Sequence, residues 1–223
     1  MRIISLVPSV TETLLAWGIE PIAVTRFCEQ PELRAVGGTK DPDLAAIIDL
    51  APDLVVVNDE ENRREDADAL MAAGLALHVI SIDALGDVGP QLAALAAVVG
   101  APPPQTWAPP PFAGERRRAF VPIWRRPWMS LAAGTYGSSL LSALGVDTLF
   151  ADAAARYPEV TLADAAQLGP DLVLAPSEPY PFGERHRAAL EAVAPMLLVD
   201  GQDLFWWGSR TPAAYERLTR ALA

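Results

Sequence analysis

Aromatic side chains cluster in the segments that follow the apolar, strand-like runs of this sequence. Four of the six tryptophans lie in such segments of the C-terminal half, accompanied by other rings. The positions are Trp124, Trp128, Tyr136, Tyr180, Phe182, Trp206 and Trp207. Loops are ordinarily polar, so grouped rings favour a flat, largely apolar ligand that is held by ring faces. The alternative is that these rings close the end of a sheet or a contact between lobes.

Few side chains could bind a metal directly. The chain has two histidines and one cysteine, with no CxxC, HxH or HExxH spacing. A zinc site built from protein ligands alone is therefore not expected. His186 follows a loop at the predicted start of a helix, and it is either a metal ligand or a residue with a backbone partner. His78 lies mid-strand between apolar neighbours and is predicted to be a core residue, and Cys28 cannot form an intrachain disulfide.

Signatures of catalysis are weak. The sequence has no GxSxG elbow, no Walker A loop and no GxGxxG motif, so we predict that it is not an enzyme and has no intrinsic cofactor. Two alternatives to simple ligand binding stay open. One is an enzyme in which His186, Glu184 and Arg185 act as acid, base and anion clamp. The other is an interaction module whose Trp-rich loops bind a protein.

The elements that must position these residues repeat along the chain. Residues 44–57 and 162–175 are identical at seven of fourteen positions, including a shared Pro-Asp-Leu-Val core. Val7-Pro8 and Val121-Pro122 each end an apolar run upstream of one copy. A strand, a helix, a further helix and a Pro-Asp-led strand follow one another in both halves. This order predicts two similar α/β lobes with parallel sheets.

The predicted fold is thus α/β, with two Rossmann-like lobes, a shortened connecting helix and a ligand cleft between the lobes. We predict an N-terminal lobe over residues 1–84 and a C-terminal lobe over 116–223. Between them, 85–115 form a connecting helix and a proline-rich linker, because Pro102–Pro104 and Pro109–Pro111 cannot continue a helix.

Composition limits the partners. The net charge is −11, which argues against nucleic acid because phosphate binding needs a positive surface. No segment approaches the ~18 apolar residues of a membrane span, so no membrane insertion is predicted. No signal peptide precedes the first strand, which favours the cytoplasm as the sequence stands. A periplasmic or cell-surface location is the alternative if a signal was removed.

Three motifs, in their order, resemble a known family. These are Arg2–Glu12 with its Ser-Leu-Val-Pro-Ser run, Gly37–Leu44 with Gly-Gly-Thr-Lys, and Pro52–Val55. The chain resembles, over nearly its whole length, the class III (helical-backbone metal receptor) substrate-binding proteins of ABC importers. The similarity is strongest to the cobalamin (vitamin B12)-binding type. It implies a binding protein for a metal chelate such as cobalamin, haem or a ferric siderophore, with an ABC permease as partner.

The resemblance also implies site residues. In the first lobe they are Pro8, Ser9, Arg26, Phe27 and Cys28. In the second they are Trp124, Trp128, Tyr136 and the loop of Tyr180 and Phe182. Trp206, Trp207 and His186 are further candidates because they lie in strand-end loops, not because of the resemblance. The cobalamin-binding type presents one acidic residue from each lobe to its permease, and Glu61 and Glu65 are the candidates in the first lobe. The matching stretch of the second lobe, residues 205–210, contains no acid.

Overall fold

The computed structural model describes all 223 residues, and they form two compact units. We describe each unit by itself. The first comprises Met1–Ser81, Asp87–Thr106 and Gly208–Arg210, and the second comprises Ile82–Gly86, Trp107–Trp207 and Thr211–Ala223.

The first unit is built on a four-stranded parallel sheet. Its elements, in chain order, are β1 (Ile3–Ser5), α1 (Pro8–Ala16), β2 (Ala23–Val24), α2 (Leu44–Asp49), β3 (Leu54–Asn58), α3 (Arg64–Ala72), β4 (Leu77–Ile80) and α4 (Val88–Val99). A 3-10 turn at Leu85–Asp87 precedes α4. The strand order is β2-β1-β3-β4, and every pairing is parallel. Branched and aliphatic side chains of β1 and β3 fill the core, together with Ile47 of α2 and Leu70 of α3.

The second unit contains another four-stranded parallel sheet and a small antiparallel pair. Its elements are β5 (Arg117–Phe120), β6 (Trp128–Met129), α5 (Tyr136–Ala143), β7 (Val146–Thr148), β8 (Glu159–Val160), α6 (Leu162–Gln167), β9 (Leu172–Pro176), α7 (Arg187–Leu190), β10 (Met196–Val199), α8 (Gly201–Phe205) and α9 (Thr211–Leu222). A 3-10 turn at Glu184–His186 precedes α7. The main sheet has the order β10-β9-β5-β7, and β6 pairs with β8.

The two sheets have the same topology. Read from each unit's own first strand, both have the order second, first, third and fourth strand. The predicted parallel α/β lobes are therefore confirmed, and the repeated segments are α2 with β3 and α6 with β9.

The repeat extends to individual hydrogen bonds. In the first unit, the backbone N–H of Arg2 donates to a carboxylate oxygen of Asp53 at 2.6 Å, and the Asp53 N–H donates back to the Arg2 carbonyl. In the second, Arg118 and Asp171 form the same two bonds, again with 2.6 Å to the carboxylate. The Pro-Asp pair of each repeat thus connects the start of the third strand to the start of the first.

Helix ends correct two expectations. The sequence offers Ser9 or Thr11 as the N-cap of α1, with Glu12 completing a capping box to Ser9. The helix instead begins at Pro8, two residues before the start that a Ser9 cap would give, and its N-cap Val7 makes no side-chain bond. Proline fits this position because its missing N–H would have no helical partner there. The helix predicted to start at His186 is instead the short 3-10 turn followed by the four residues of α7.

The helix of the connecting segment ends before the prolines, as the sequence predicts. Helix α4 ends at Val99, and Gly100 follows with φ of +72°, a left-handed conformation that glycine adopts without strain. Residues 101–116 form neither helix nor strand. The limits of the linker stay a prediction. None of the helices combines the length and the apolar character that crossing a bilayer requires.

Candidate functional site

Two loops of the second unit lie at the same edge of its sheet. Strands β5 and β9 are parallel neighbours, with Phe120 paired to Val173. The segments that leave their carboxyl ends therefore emerge side by side, which is where α/β sheets commonly bind ligands. After β5 the chain forms a tight turn over 124–129, closed by a bond from the Met129 N–H to the Trp124 carbonyl at 3.2 Å.

Five rings from these loops contact one another and form what we call the aromatic cluster. Its members are Trp124, Trp128, Tyr180, Phe182 and His186. Trp124 meets Tyr180 edge to face with centroids 5.6 Å apart, and Trp128 stacks on Phe182 at 5.9 Å with an interplanar angle of 8°. His186 lies 5.5 Å from Tyr180 and 5.3 Å from Phe182. Contacts of this kind contribute roughly 0.5–1.5 kcal/mol each beyond the area that they bury.

The aromatic cluster has an inner and an outer layer. Phe182 and His186 are almost fully buried, and Phe182 is part of the hydrophobic core of the unit beside Phe120 and Val173. Trp124 is 44% exposed, while Trp128 and Tyr180 are half-buried. The outer rings are thus available to a ligand and are held by inner rings that the core fixes.

His186 orders the loop that carries Tyr180 and Phe182. The Gly183 N–H donates to Nδ1 of His186 at 3.2 Å, and the Arg185 Nε–H donates to Nε2 at 3.4 Å, so both ring nitrogens face donors. A histidine that ligates a metal through Nε2 donates a hydrogen from Nδ1, and here Nδ1 faces a donor. Burial, together with the positive charges of Arg185 and Arg125, lowers the pKa of His186. These contacts favour a supporting role for the ring, and its role as a ligand contact stays a prediction.

The structure offers no alternative set of metal ligands. No three or more His, Cys, Asp or Glu side chains come together where they could hold a metal ion. Burial lowers the pKa of His78, whose Nε2 has no hydrogen-bond partner.

Three other predicted contacts of the second unit lie outside the aromatic cluster. Tyr136 is buried in the first turn of α5, and its hydroxyl is 3.2 Å from Oγ1 of Thr211. Trp207 is also buried, and Trp206 is half-buried at the end of α8. As ligand contacts, these three residues stay predictions.

In the first unit the predicted residues divide into buried and exposed groups. Pro8 and Ser9 are buried in the first turn of α1. Cys28 is buried with its sulfur 3.2 Å from Oγ1 of Thr11 and of Thr25, and burial raises the pKa of the thiol.

Arg26 and Phe27 form the exposed group. Phe27 is 49% exposed, and the Arg26 guanidinium lies 4.8 Å from the centroid of its ring. Arg26 also bonds both carboxylate oxygens of Asp41, at 2.9 and 3.0 Å, which fixes the position of the guanidinium. This Arg26–Phe27 surface pairs an apolar ring with a cation.

The two acidic candidates for permease docking lie close together in sequence but differ in exposure. Glu61 is half-buried, with its backbone N–H bonded to Oδ1 of Asn58 at 2.9 Å. Glu65 is exposed in the first turn of α3, where the helix dipole favours a negative charge. Their docking role stays a prediction.

The catalytic alternative is not supported by the contacts of its residues. Both carboxylate oxygens of Glu184 accept bonds from Arg187 at 2.6 Å, which lowers the pKa of Glu184. The proposed base is thus tied to another side chain, and the proposed acid, His186, is buried.

Sequence reasoning missed Arg125 and Arg126, which lie within the turn between Trp124 and Trp128. The guanidinium of Arg125 is 5.8 Å from the Trp128 ring centroid. The Trp-Arg-Arg-Pro-Trp run was a usable signal, because cations and rings alternate there.

Comparison with known proteins identifies the fold. The chain is 21% identical to the periplasmic vitamin B12-binding protein BtuF of Vibrio cholerae, with a TM-score of 0.81 over 99% of this chain and 96% of that one. The fold is that of a periplasmic binding protein. A periplasmic haem-binding protein, BhuT in complex with two haems, matches with a TM-score of 0.78 at 18% identity, over 99% of this chain and 97% of that one. An ABC transporter substrate-binding protein from Listeria monocytogenes gives 0.72 at 12%, over 99% and 97%.

Sequence relatives agree with the fold. The vitamin B12-binding protein of Salmonella choleraesuis is 24% identical over 188 residues, which cover 72% of this chain and 66% of that relative. The protein of the same name from Vibrio cholerae is 24% identical over 205 residues, covering 84% and 74%. The chain thus spans slightly less than two thirds of the first relative. No protein-family model matches.

The predicted resemblance to class III substrate-binding proteins of the cobalamin type is confirmed. The relatives are binding proteins rather than enzymes, which agrees with the absence of a catalytic arrangement among Glu184, Arg185 and His186.

Proposed function

We propose that this protein is a substrate-binding protein that captures a corrinoid or haem-like metal chelate on the aromatic cluster of its second unit. The observation that carries the proposal is the layered cluster itself. One exposed and two half-buried rings at the carboxyl edge of a parallel sheet pack on two buried rings, of which Phe182 belongs to the hydrophobic core. The similarity of the chain to vitamin B12- and haem-binding proteins supports a ligand of the same chemical type.

Apolar burial supplies most of the affinity in this proposal. Covering the outer rings removes apolar area from water at roughly 25 cal/mol per Å². The inner rings hold the outer ones in place before the ligand arrives, so little ordering entropy is lost on binding. The metal stays coordinated within its chelate, which suits a cluster whose histidine is held as a hydrogen-bond acceptor at Nδ1.

The exposed Arg26–Phe27 surface of the first unit is proposed as a further ligand contact. Phe27 offers a ring face and Arg26 a fixed cation. The other three predicted contacts of this unit, Pro8, Ser9 and Cys28, are buried. Their proposed contribution is to shape the backbone of the loops that carry the exposed residues.

The protein is proposed to deliver its ligand to an ABC permease. Of the two acidic candidates for docking on the permease, Glu65 is the more exposed. One neighbour in fold is named as an ABC transporter substrate-binding protein, which supports such a partner. A location outside the cytoplasm goes with this role, as in the periplasmic neighbours. Glu65→Lys would leave chelate affinity unchanged and reduce uptake through a cognate permease.

The test of the proposed site is Trp124→Ala, measured as the dissociation constant for haem and for cyanocobalamin. Truncating a central aromatic contact costs about 2 kcal/mol, or roughly a 30-fold loss of affinity. Trp107→Ala is the matched control, because Trp107 belongs to the same unit but packs edge-on against Tyr215. Equal affinity of the Trp124 variant and the unmodified protein for every chelate that binds would refute the aromatic cluster as the site.

A further inference from the structure

Three arginines belong to the two loops that carry the aromatic cluster. Arg125 and Arg126 occupy the turn between Trp124 and Trp128, and Arg185 precedes His186. The chain has 28 acidic and 17 basic side chains that can pair, so its arginines have an excess of possible carboxylate partners.

None of the ion pairs in the structure involves these three arginines. Other arginines of the unit do pair: Arg187 bonds Glu184 and Glu191 at 2.6 and 2.7 Å, and Arg116 pairs with Asp147. The nearest acid in sequence to Arg185 is Glu184, and both its oxygens are bonded to Arg187. The arginines beside the aromatic cluster thus keep guanidinium donors for another acceptor.

Contacts with the cluster hold two of these arginines in place. The Arg185 side chain donates to the Pro181 carbonyl at 3.2 Å, and its Nε lies 3.4 Å from Nε2 of His186. Arg125 lies over the Trp128 ring at 5.8 Å and is half-buried. Burial lowers the pKa of His186, and the positive charges of Arg185 and Arg125 lower it further.

We propose that Arg125, Arg126 and Arg185 receive the acidic groups of the ligand, so that the chelate bound on the aromatic cluster carries free carboxylate or phosphate. This inference rests on the proposed function and narrows its substrate class. A planar guanidinium with parallel N–H donors matches the two oxygens of a carboxylate or phosphate. Rings for the face of the chelate and cations for its edge together define a flat, anionic ligand.

The experiment compares chelates that differ only in their acidic groups. One pair is haem, with two carboxylates, and haem dimethyl ester, with none. The other pair is cobinamide phosphate, with its phosphate group, and cobinamide, which lacks it. Dissociation constants are measured at low and high salt for the unmodified protein, Arg125→Gln, Arg185→Gln and the double variant. Arg220→Gln is the control, because Arg220 is an exposed arginine of α9 in the same unit.

The proposal predicts that the free-acid member of at least one pair binds more tightly, and which pair responds identifies carboxylate or phosphate. Each single Gln variant should weaken binding of that member by roughly three- to ten-fold and reduce its salt dependence. The neutral member should be unaffected, as should the Arg220 variant.

Three results would overturn the proposal. Equal affinity within both pairs, or chelate affinity unchanged in the double variant, would refute the anionic ligand while leaving chelate binding on the aromatic cluster intact. Failure of all four chelates to bind would refute the proposed function and this inference together. Circular dichroism of each variant confirms that folding is preserved, which is expected because neither Arg125 nor Arg185 pairs with a carboxylate.

Discussion

The internal repeat allows backbone strain to be compared at one turn that occurs in both copies. Ala51 and Gly169 are equivalent residues, each immediately before the Pro-Asp pair of its repeat. Both adopt a left-handed conformation, with φ of +44° at Ala51 and +61° at Gly169. The turns are closed alike, by an N–H bond to the Ile48 carbonyl at 2.9 Å and to the Ala166 carbonyl at 3.1 Å. The chain therefore places alanine where its own second copy uses glycine.

The magnitude follows from two opposing effects. A residue with a Cβ pays roughly 1–2 kcal/mol to adopt the left-handed region, which glycine avoids. Glycine also lowers the free energy of unfolding by about 0.4–1 kcal/mol, because it increases the entropy of the unfolded chain. Ala51 is exposed, so removing its methyl group loses no core packing. We expect Ala51→Gly to raise the free energy of unfolding by about 0.5–1 kcal/mol, and Gly169→Ala to lower it by a similar amount.

The assay is urea unfolding followed by far-UV circular dichroism and by tryptophan fluorescence. Five of the six tryptophans belong to the second unit, so fluorescence weights the effect of Gly169→Ala, whereas circular dichroism covers both units. Opposite shifts in the two variants are the expected result. Destabilisation by Ala51→Gly, or shifts of the same sign in both variants, would refute the assignment of strain to this turn.

Three further predictions concern buried and paired side chains. Burial lowers the pKa of His186 and His78 below the unfolded value of about 6.5. The free energy of unfolding should therefore have its full value above that pH and decrease as the pH falls below it. His186→Gln should make this decrease smaller when unfolding is measured at a series of pH values. Cys28 should react with a thiol reagent only as fast as the protein opens, and rapid labelling of the native protein would contradict its burial. Glu12→Gln should lower the free energy of unfolding, measured with urea, by about 1 kcal/mol, because Arg210 donates to both carboxylate oxygens of Glu12 at 2.7 and 3.1 Å. An unchanged urea midpoint would show that this ion pair does not stabilise the protein.

The parallel sheets could be predicted because their central strands are buried on both faces. Every residue of Leu54–Asn58 and of Leu172–Pro176 is buried, so the first is a continuous apolar run up to its last residue, Asn58, and the second is apolar throughout. The β6–β8 pair could not be predicted. Its strands have two residues each, which is too few for any alternation to appear.

The site was predictable in part. Rings that follow neighbouring parallel strands had to come together, and Trp124 with Tyr180 did so. Whether a ring points outward depends on the elements that pack around it, which the local sequence does not encode. Tyr136 and Trp207 follow the same aromatic pattern yet are buried. The lack of ion pairs at Arg125 and Arg185 likewise depends on where distant acids lie.

The central claim is that the chain captures a metal chelate, and an absorbance titration tests it most directly. The purified protein is incubated with cyanocobalamin, haem or a ferric siderophore, then desalted, and the spectrum of the protein fraction is recorded. The account predicts that one of these coloured chelates stays bound, at one per chain, and that Trp124→Ala reduces the amount retained. Loss of all three on desalting, with no spectral change during titration, would contradict it.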